Sequence, residues 1–163
     1  RLPITFPLHE GQLPLVYNHK PTGRGDDYDN LSGQPLFPFG FGLSYTTFSY
    51  KNLQISETKN EKSFLASFDL TNTGTREGEE VVQLYIRDQL ASVARPVTEL
   101  KGFSRIRLKA GETKHCSFVI EPTMLEMLNF KMEKVVEPGD FSIMIGASCK
   151  DIRLKGTLRV NPD

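Results

Sequence analysis

From about Thr46 to Val160 apolar residues recur at every second position, and turn residues interrupt them at short intervals. An alternation of two places successive side chains on opposite faces of an extended chain, so these runs are half-buried strands rather than helices. Phe64, Ala66, Phe68 and Leu70 share one face before Asn72-Thr73-Gly74 turns the chain. Val82, Leu84 and Ile86 repeat the pattern. A weaker version runs from Leu100 to Leu108 into Lys109-Ala110-Gly111-Glu112, and Cys116, Phe118 and Ile120 share the inward face of the strand after it. Thr123 to Leu128, behind Glu121-Pro122, is long enough for a single helical turn. Pro138-Gly139 separates Lys134-Val135-Val136 from Phe141, Ile143, Ile145 and Ala147, which predicts a hairpin between those two runs. Ile152, Leu154, Leu158 and Val160 make a closing strand. Seven or eight such strands without a helix predict an all-β, immunoglobulin or fibronectin type III-like β-sandwich rather than a barrel.

The first 45 residues obey a different rule. Proline stands at 3, 7, 14, 21, 35 and 38, glycine is frequent, and alternation is slight. Proline removes backbone donors, so this tail is not a set of central strands. Its apolar content, Leu2, Ile4, Phe6, Leu13, Leu15, Val16 and Tyr17, then Phe37, Phe39 and Phe41, is too high for a flexible linker. The tail is therefore expected to pack on a neighbouring domain. Two units follow, 1–45 as tail and linker and 46–163 as sandwich, with Phe37, Phe39, Phe41 and Tyr45 as the expected domain interface. An apolar patch of that size, left uncovered, favours self-association.

Composition narrows the function classes. Lysine plus arginine and aspartate plus glutamate are equal at 20 each, which removes the positive field that nucleic acid or anionic lipid requires. No apolar run approaches the length of a membrane span. The chain opens Arg1-Leu2-Pro3 without an initiator Met or leader, so a targeting signal is expected upstream or nowhere.

The candidate chemical sites are thin. Cys116 and Cys149 form no CxxC pair. Cys116 reads as a small buried hydrophobe, with a disulfide left open. His9, His19 and His115 are scattered, so no metal or cofactor is expected. Asp26, Asp27, Asp29 and Asn30 lack the glycine and distal glutamate of a calcium loop. Arg24-Gly25-Asp26 matches an adhesion tripeptide but reads as a solvated turn. Asn30-Leu31-Ser32 fits the N-glycosylation rule, which has meaning only in a secretory setting. The adjacent acids Glu79 and Glu80 start a strand and read as solvent-facing. They cannot sit opposed across a cleft as a general acid and base would. There is no nucleophile elbow. Sugar binding would need flat exposed aromatics. With no tryptophan in the chain, Tyr28, Tyr45, Tyr50 and Tyr85 are the candidates, and they form no evident platform.

Several motifs in fixed order are nonetheless distinctive. Leu2-Pro3-Ile4-Thr5-Phe6-Pro7, Gly11-Gln12-Leu13-Pro14 and Tyr17-Asn18-His19-Lys20-Pro21-Thr22-Gly23-Arg24 resemble the end of the α/β sandwich domain of family-three glycoside hydrolases, the β-glucosidase and β-xylosidase group. Pro35-Leu36-Phe37-Pro38-Phe39-Gly40-Phe41-Gly42-Leu43-Ser44-Tyr45-Thr46 resembles that domain's exit. Asn72-Thr73-Gly74, Glu80 to Asp88, Arg95-Pro96-Val97 with Glu99-Leu100-Lys101-Gly102-Phe103, and Glu137-Pro138-Gly139 are similar to the family's fibronectin type III-like domain. The resemblance implies a C-terminal piece of a retaining β-glycosidase. In such an enzyme one carboxylate attacks the anomeric carbon and a second, about 5 to 5.5 Å away, protonates the leaving oxygen. It places both carboxylates upstream of Arg1, in the barrel and the α/β sandwich domain, so no residue of this chain is expected to be catalytic. The implied partners are those two domains and, through the whole enzyme, a β-linked oligosaccharide. Periplasmic or secreted residence is implied as well. The alternatives are an independent carbohydrate-binding module and, more remotely, an adhesive domain. Phe141 stands where related sandwiches place a corner tyrosine. Without a hydroxyl, burial has to hold that corner.

Overall fold

A computed structural model describes residues 1–12, 15–21, 32–58 and 63–162. Among them nine strands follow in order. They are β1 (Phe48–Glu57), β2 (Phe64–Asn72), β3 (Gly78–Asp88), β4 (Glu99–Leu108), β5 (Thr113–Ile120), β6 (Met127–Leu128), β7 (Lys134–Val135), β8 (Gly139–Gly146) and β9 (Ile152–Val160), with one helical turn, α1 (Pro122–Leu125), between β5 and β6. Pro122 opens α1, where a missing amide hydrogen costs nothing.

The seven longer strands form two antiparallel sheets, β1-β2-β5 and β4-β3-β8-β9. Their inward faces supply Phe64, Ala66, Phe68 and Leu70 from β2, Val82, Leu84 and Ile86 from β3, and Phe141, Ile143 and Ile145 from β8, all buried in one core. Each of these side chains larger than alanine contributes about 1.5 to 3 kcal/mol relative to exposure. Cys116 and Phe118 of β5 pack half-buried against that core. Phe141 is 2% exposed, so burial does hold the position that lacks a hydroxyl. Where β9 passes β1, a Cβ on Gly156 would lie 2.6 Å from Ile55 Cδ1, so a larger residue there would have to displace the Ile55 side chain.

The hairpin expected across Pro138-Gly139 does not form. Lys134 and Val135 pair instead with Leu128 and Met127, making a separate two-stranded ribbon, while β8 pairs with β3 and β9. Two residues of local alternation cannot choose a partner. The choice falls to the tight turn at Asn129, whose side-chain oxygen accepts from Lys131 N at 2.8 Å and Glu133 N at 3.0 Å.

Asn72 explains why an Asn-Thr-Gly turn follows β2. Its buried amide nitrogen donates to Arg76 O (2.7 Å) and Leu108 O (3.1 Å), and its oxygen accepts from Thr46 Oγ1 (2.6 Å) and Gly74 N (3.1 Å). All four hydrogen-bonding positions of one side chain are used to join the tail's end, β2 and β4.

Candidate functional site

The tail is itself built as a pair of extended segments. Phe6 and Phe37 exchange backbone hydrogen bonds at 2.9 and 3.3 Å, and Leu2 is bonded to Phe41 and Gly40 at 2.8 Å each. The proline positions restrict this pairing to a few bonds. Gln12, 3% exposed, holds the connection: its oxygen accepts from Leu8 N, and its nitrogen donates to Ser32 O at 2.7 Å and Gln34 O at 3.0 Å.

This paired segment lies on the outer face of the four-stranded sheet. Alternation along β3 turns Gln83 and Tyr85 away from the core, yet both are buried, because the tail covers them. Tyr17 stacks on Phe39 at 4.2 Å and meets Tyr85 edge-on at 6.2 Å. The Tyr17 hydroxyl accepts from Leu100 N (3.2 Å), His19 O accepts from Val97 N (2.9 Å), and Phe39 O accepts from Cys149 N (3.1 Å). Gln83 donates to Gly40 O (3.3 Å) and Ala147 O (2.8 Å) and accepts from the Tyr85 hydroxyl. Gly40 has φ +82, and a Cβ there would collide with the Gln83 amide, so both backbone shape and space demand glycine.

The expected interface residues therefore divide. Phe39 is turned to this chain's own sandwich rather than away from it. Phe37 stacks on Phe41 at 5.0 Å and meets Phe6 edge-on at 6.3 Å. Around them Ile4, Phe6, Leu8, Val16, Leu36 and Phe37 are exposed, and Leu43 and Tyr45 are 90% and 97% exposed. Composition showed the apolar surplus, but only tertiary placement separates the half that seals from the half that stays open.

Glu80 corrects a further expectation. It shares a face with Val82 and Leu84, is 4% exposed, and pairs with the Arg1 guanidinium, which also donates to Gly42 O. Burial is the dominant influence and raises its carboxyl above the usual carboxylate range, against the opposing pull of Arg1. Glu79, on the opposite face, is partly exposed and bonded to Arg105. The strand-start position suggested solvent for both; alternation sends one of them inward, where Arg1 meets it.

Tyr50 and Tyr85, considered for a sugar platform, are buried, and Tyr45 alone of the described candidates is open. Tyr28 lies outside the described residues, as do Leu13, Arg24-Gly25-Asp26, Asp27, Asp29 and the Asn30-Leu31 part of the glycosylation motif. Cys116 and Cys149 are free thiols, each raised by burial. His115 faces Asp69 at 2.9 Å. No group of three potential metal ligands occurs among the described residues.

Comparison with known proteins fits this geometry. Residues 80–149, from the buried Glu80 to the thiol beside Phe39, match the fibronectin type III-like domain. A β-xylosidase of Formosa agariphila is 47% identical across 95% of the chain, and a periplasmic β-glucosidase of Salmonella typhimurium is 41% identical across 94%. The chain belongs to the family-three glycoside hydrolases, corresponding to their C-terminal part. It spans about a fifth of the length of these relatives, 22% in both cases. The solved structure of a β-glucosidase involved in saponin metabolism from intestinal bacteria superposes with a TM-score of 0.91 at 40% identity, covering 98% of this chain and 22% of that one. The superposition takes in the tail as well as the sandwich, so the tail's seating on β3 belongs to the shared architecture.

Proposed function

We propose that this chain is a non-catalytic module of a retaining β-glycosidase that hydrolyses terminal β-linked sugars. In this reading 1–45 is the closing segment of a preceding α/β domain, 46–163 is the sandwich, and the sandwich stabilises the catalytic domains. One observation carries the reading. The tail is an apolar layer with two working sides, Tyr17 and Phe39 against Tyr85 on one, and Phe6, Phe37, Leu43 and Tyr45 uncovered on the other. A layer of that kind is suited to lie between two bodies. Glu79 and Glu80 support a non-catalytic role: they project to opposite faces of β3, each held by an arginine, so they cannot flank one glycosidic bond. The periplasmic relative favours a periplasmic or secreted setting.

Hydrolysis of aryl-β-glucoside and aryl-β-xyloside tests the proposal, using this chain alone and mixed with the barrel and α/β domains of a relative. No turnover alone and raised activity or thermal stability in the mixture are expected. Turnover by this chain alone overturns the reading.

A further inference from the structure

Where the end of the tail crosses the mouth of the sandwich there is a pocket of about 230 Å³. Its polar lining comes from Arg1 and Glu80, from Ser44, Thr46 and Thr47, from Tyr50, and from Asp151 and Arg153. The Tyr50 ring lies parallel to Phe68, and its hydroxyl is buried without a hydrogen-bond partner. That hydroxyl lies within the electrostatic reach of Glu80, Arg1, Arg153 and Asp151. A buried hydroxyl left unpaired costs about 1 to 3 kcal/mol, so a partner is to be expected. At about 30 Å³ per water, the space holds several waters or one small polar solute.

The charges choose the class of occupant. Two guanidiniums stand against two carboxylates, so the pocket has no net field to concentrate an anion or a cation. What it does present is closely spaced donors and acceptors, with the hydroxyls of Ser44, Thr46, Thr47 and Tyr50 among them, and a polyhydroxyl compound can answer both. We propose that this seam is a binding subsite for a neutral sugar of monosaccharide size. The glycosidase reading supplies the choice of glucose and xylose as probes, while the pocket itself does not depend on it.

The test is amide NMR of this chain titrated with D-glucose, D-xylose, glycerol and inorganic phosphate. Saturable shifts confined to Ser44, Thr46, Thr47, Ala147 and Arg153 are expected with one of the sugars and with neither control. Tyr50→Phe removes only the unpaired hydroxyl and is expected to weaken binding about three- to tenfold, one hydrogen bond's worth, without lowering the unfolding temperature. Arg153→Gln, on an exposed side chain, provides a second variant with the same expected loss. The proposal is overturned by the absence of a saturable shift with either sugar, by equal saturation with glycerol or phosphate, or by unchanged affinity in Tyr50→Phe. The aryl-glycoside assay does not report on this pocket, so the two readings fail separately.

Discussion

The two faces of the four-stranded sheet are both buried, but they are buried by different means. On the inner face Val82, Leu84, Ile143 and Ile145 meet aliphatic and phenylalanine side chains of the opposite sheet, with hydrogen bonding left to the backbone ladders. On the outer face Gln83 and Tyr85 meet a proline-interrupted tail through ring stacking and side-chain hydrogen bonds to backbone groups. The first arrangement is that of a domain core, and the second that of an interface between domains, which is more polar and more aromatic. A core and an interface respond differently to truncation. The core is expected to fail as a unit, whereas the seam should open while the sandwich stays folded.

The largest effect should come from the core. Phe68→Ala removes a ring that is 0% exposed, and a loss of about 3 to 5 kcal/mol is expected in urea unfolding followed by circular dichroism. A smaller loss would mean that the two sheets are less tightly coupled than their shared core implies. Next in size, Gly40→Ala forces a side chain into a left-handed conformation and onto Gln83. It should cost about 1 to 3 kcal/mol, confined to the seam. Limited proteolysis should then cut within 1–45 at an unchanged sandwich midpoint. A lowered midpoint would show that tail and sandwich unfold together and would erase the contrast between the faces.

Glu80 tests the boundary between the two through pH. Its folded-state pKa is raised above about 4.5 by burial, so between that value and the folded one the native state binds more protons than the unfolded state. Its contribution to stability is therefore present at low pH and declines as pH rises through that window. Glu80→Gln should remove this decline, read as a flatter stability profile above the ordinary carboxylate range. A profile identical to the parent's would mean that Arg1 fully offsets the burial. The smallest effect is expected at the surface. Arg105→Ala breaks an exposed pair with Glu79 and should leave the thermal midpoint within error, because solvent screens such pairs.

Much of the sandwich was legible because alternation is a local signal. Phe64 to Leu70 and Val82 to Ile86 declare their inward faces without reference to any other strand. The ribbon at Met127 and Val135 was not legible, since pairing of two-residue strands is decided by the turn between them. Glu80 was misread because an acid at a strand start is usually solvated, and the arginine that meets it lies far away in sequence. The interface residues were half legible. The surplus of phenylalanine marks the tail as a contact layer, but whether Phe37 or Phe39 faces the sandwich depends on where Tyr17 and Tyr85 come together.

The sequence by itself determined the all-β sandwich, the point near Thr46 where period-two patterning begins, and the family resemblance, because periodicity and ordered motifs are carried by neighbouring residues. Only the tertiary structure decided that the tail closes over β3, that Glu80 turns inward to Arg1, and that Tyr50 sits with an unpaired hydroxyl at a polar pocket. Each of those depends on residues distant along the chain meeting in space, and the free energy of such a meeting resides in packing and hydrogen bonds that no local pattern records.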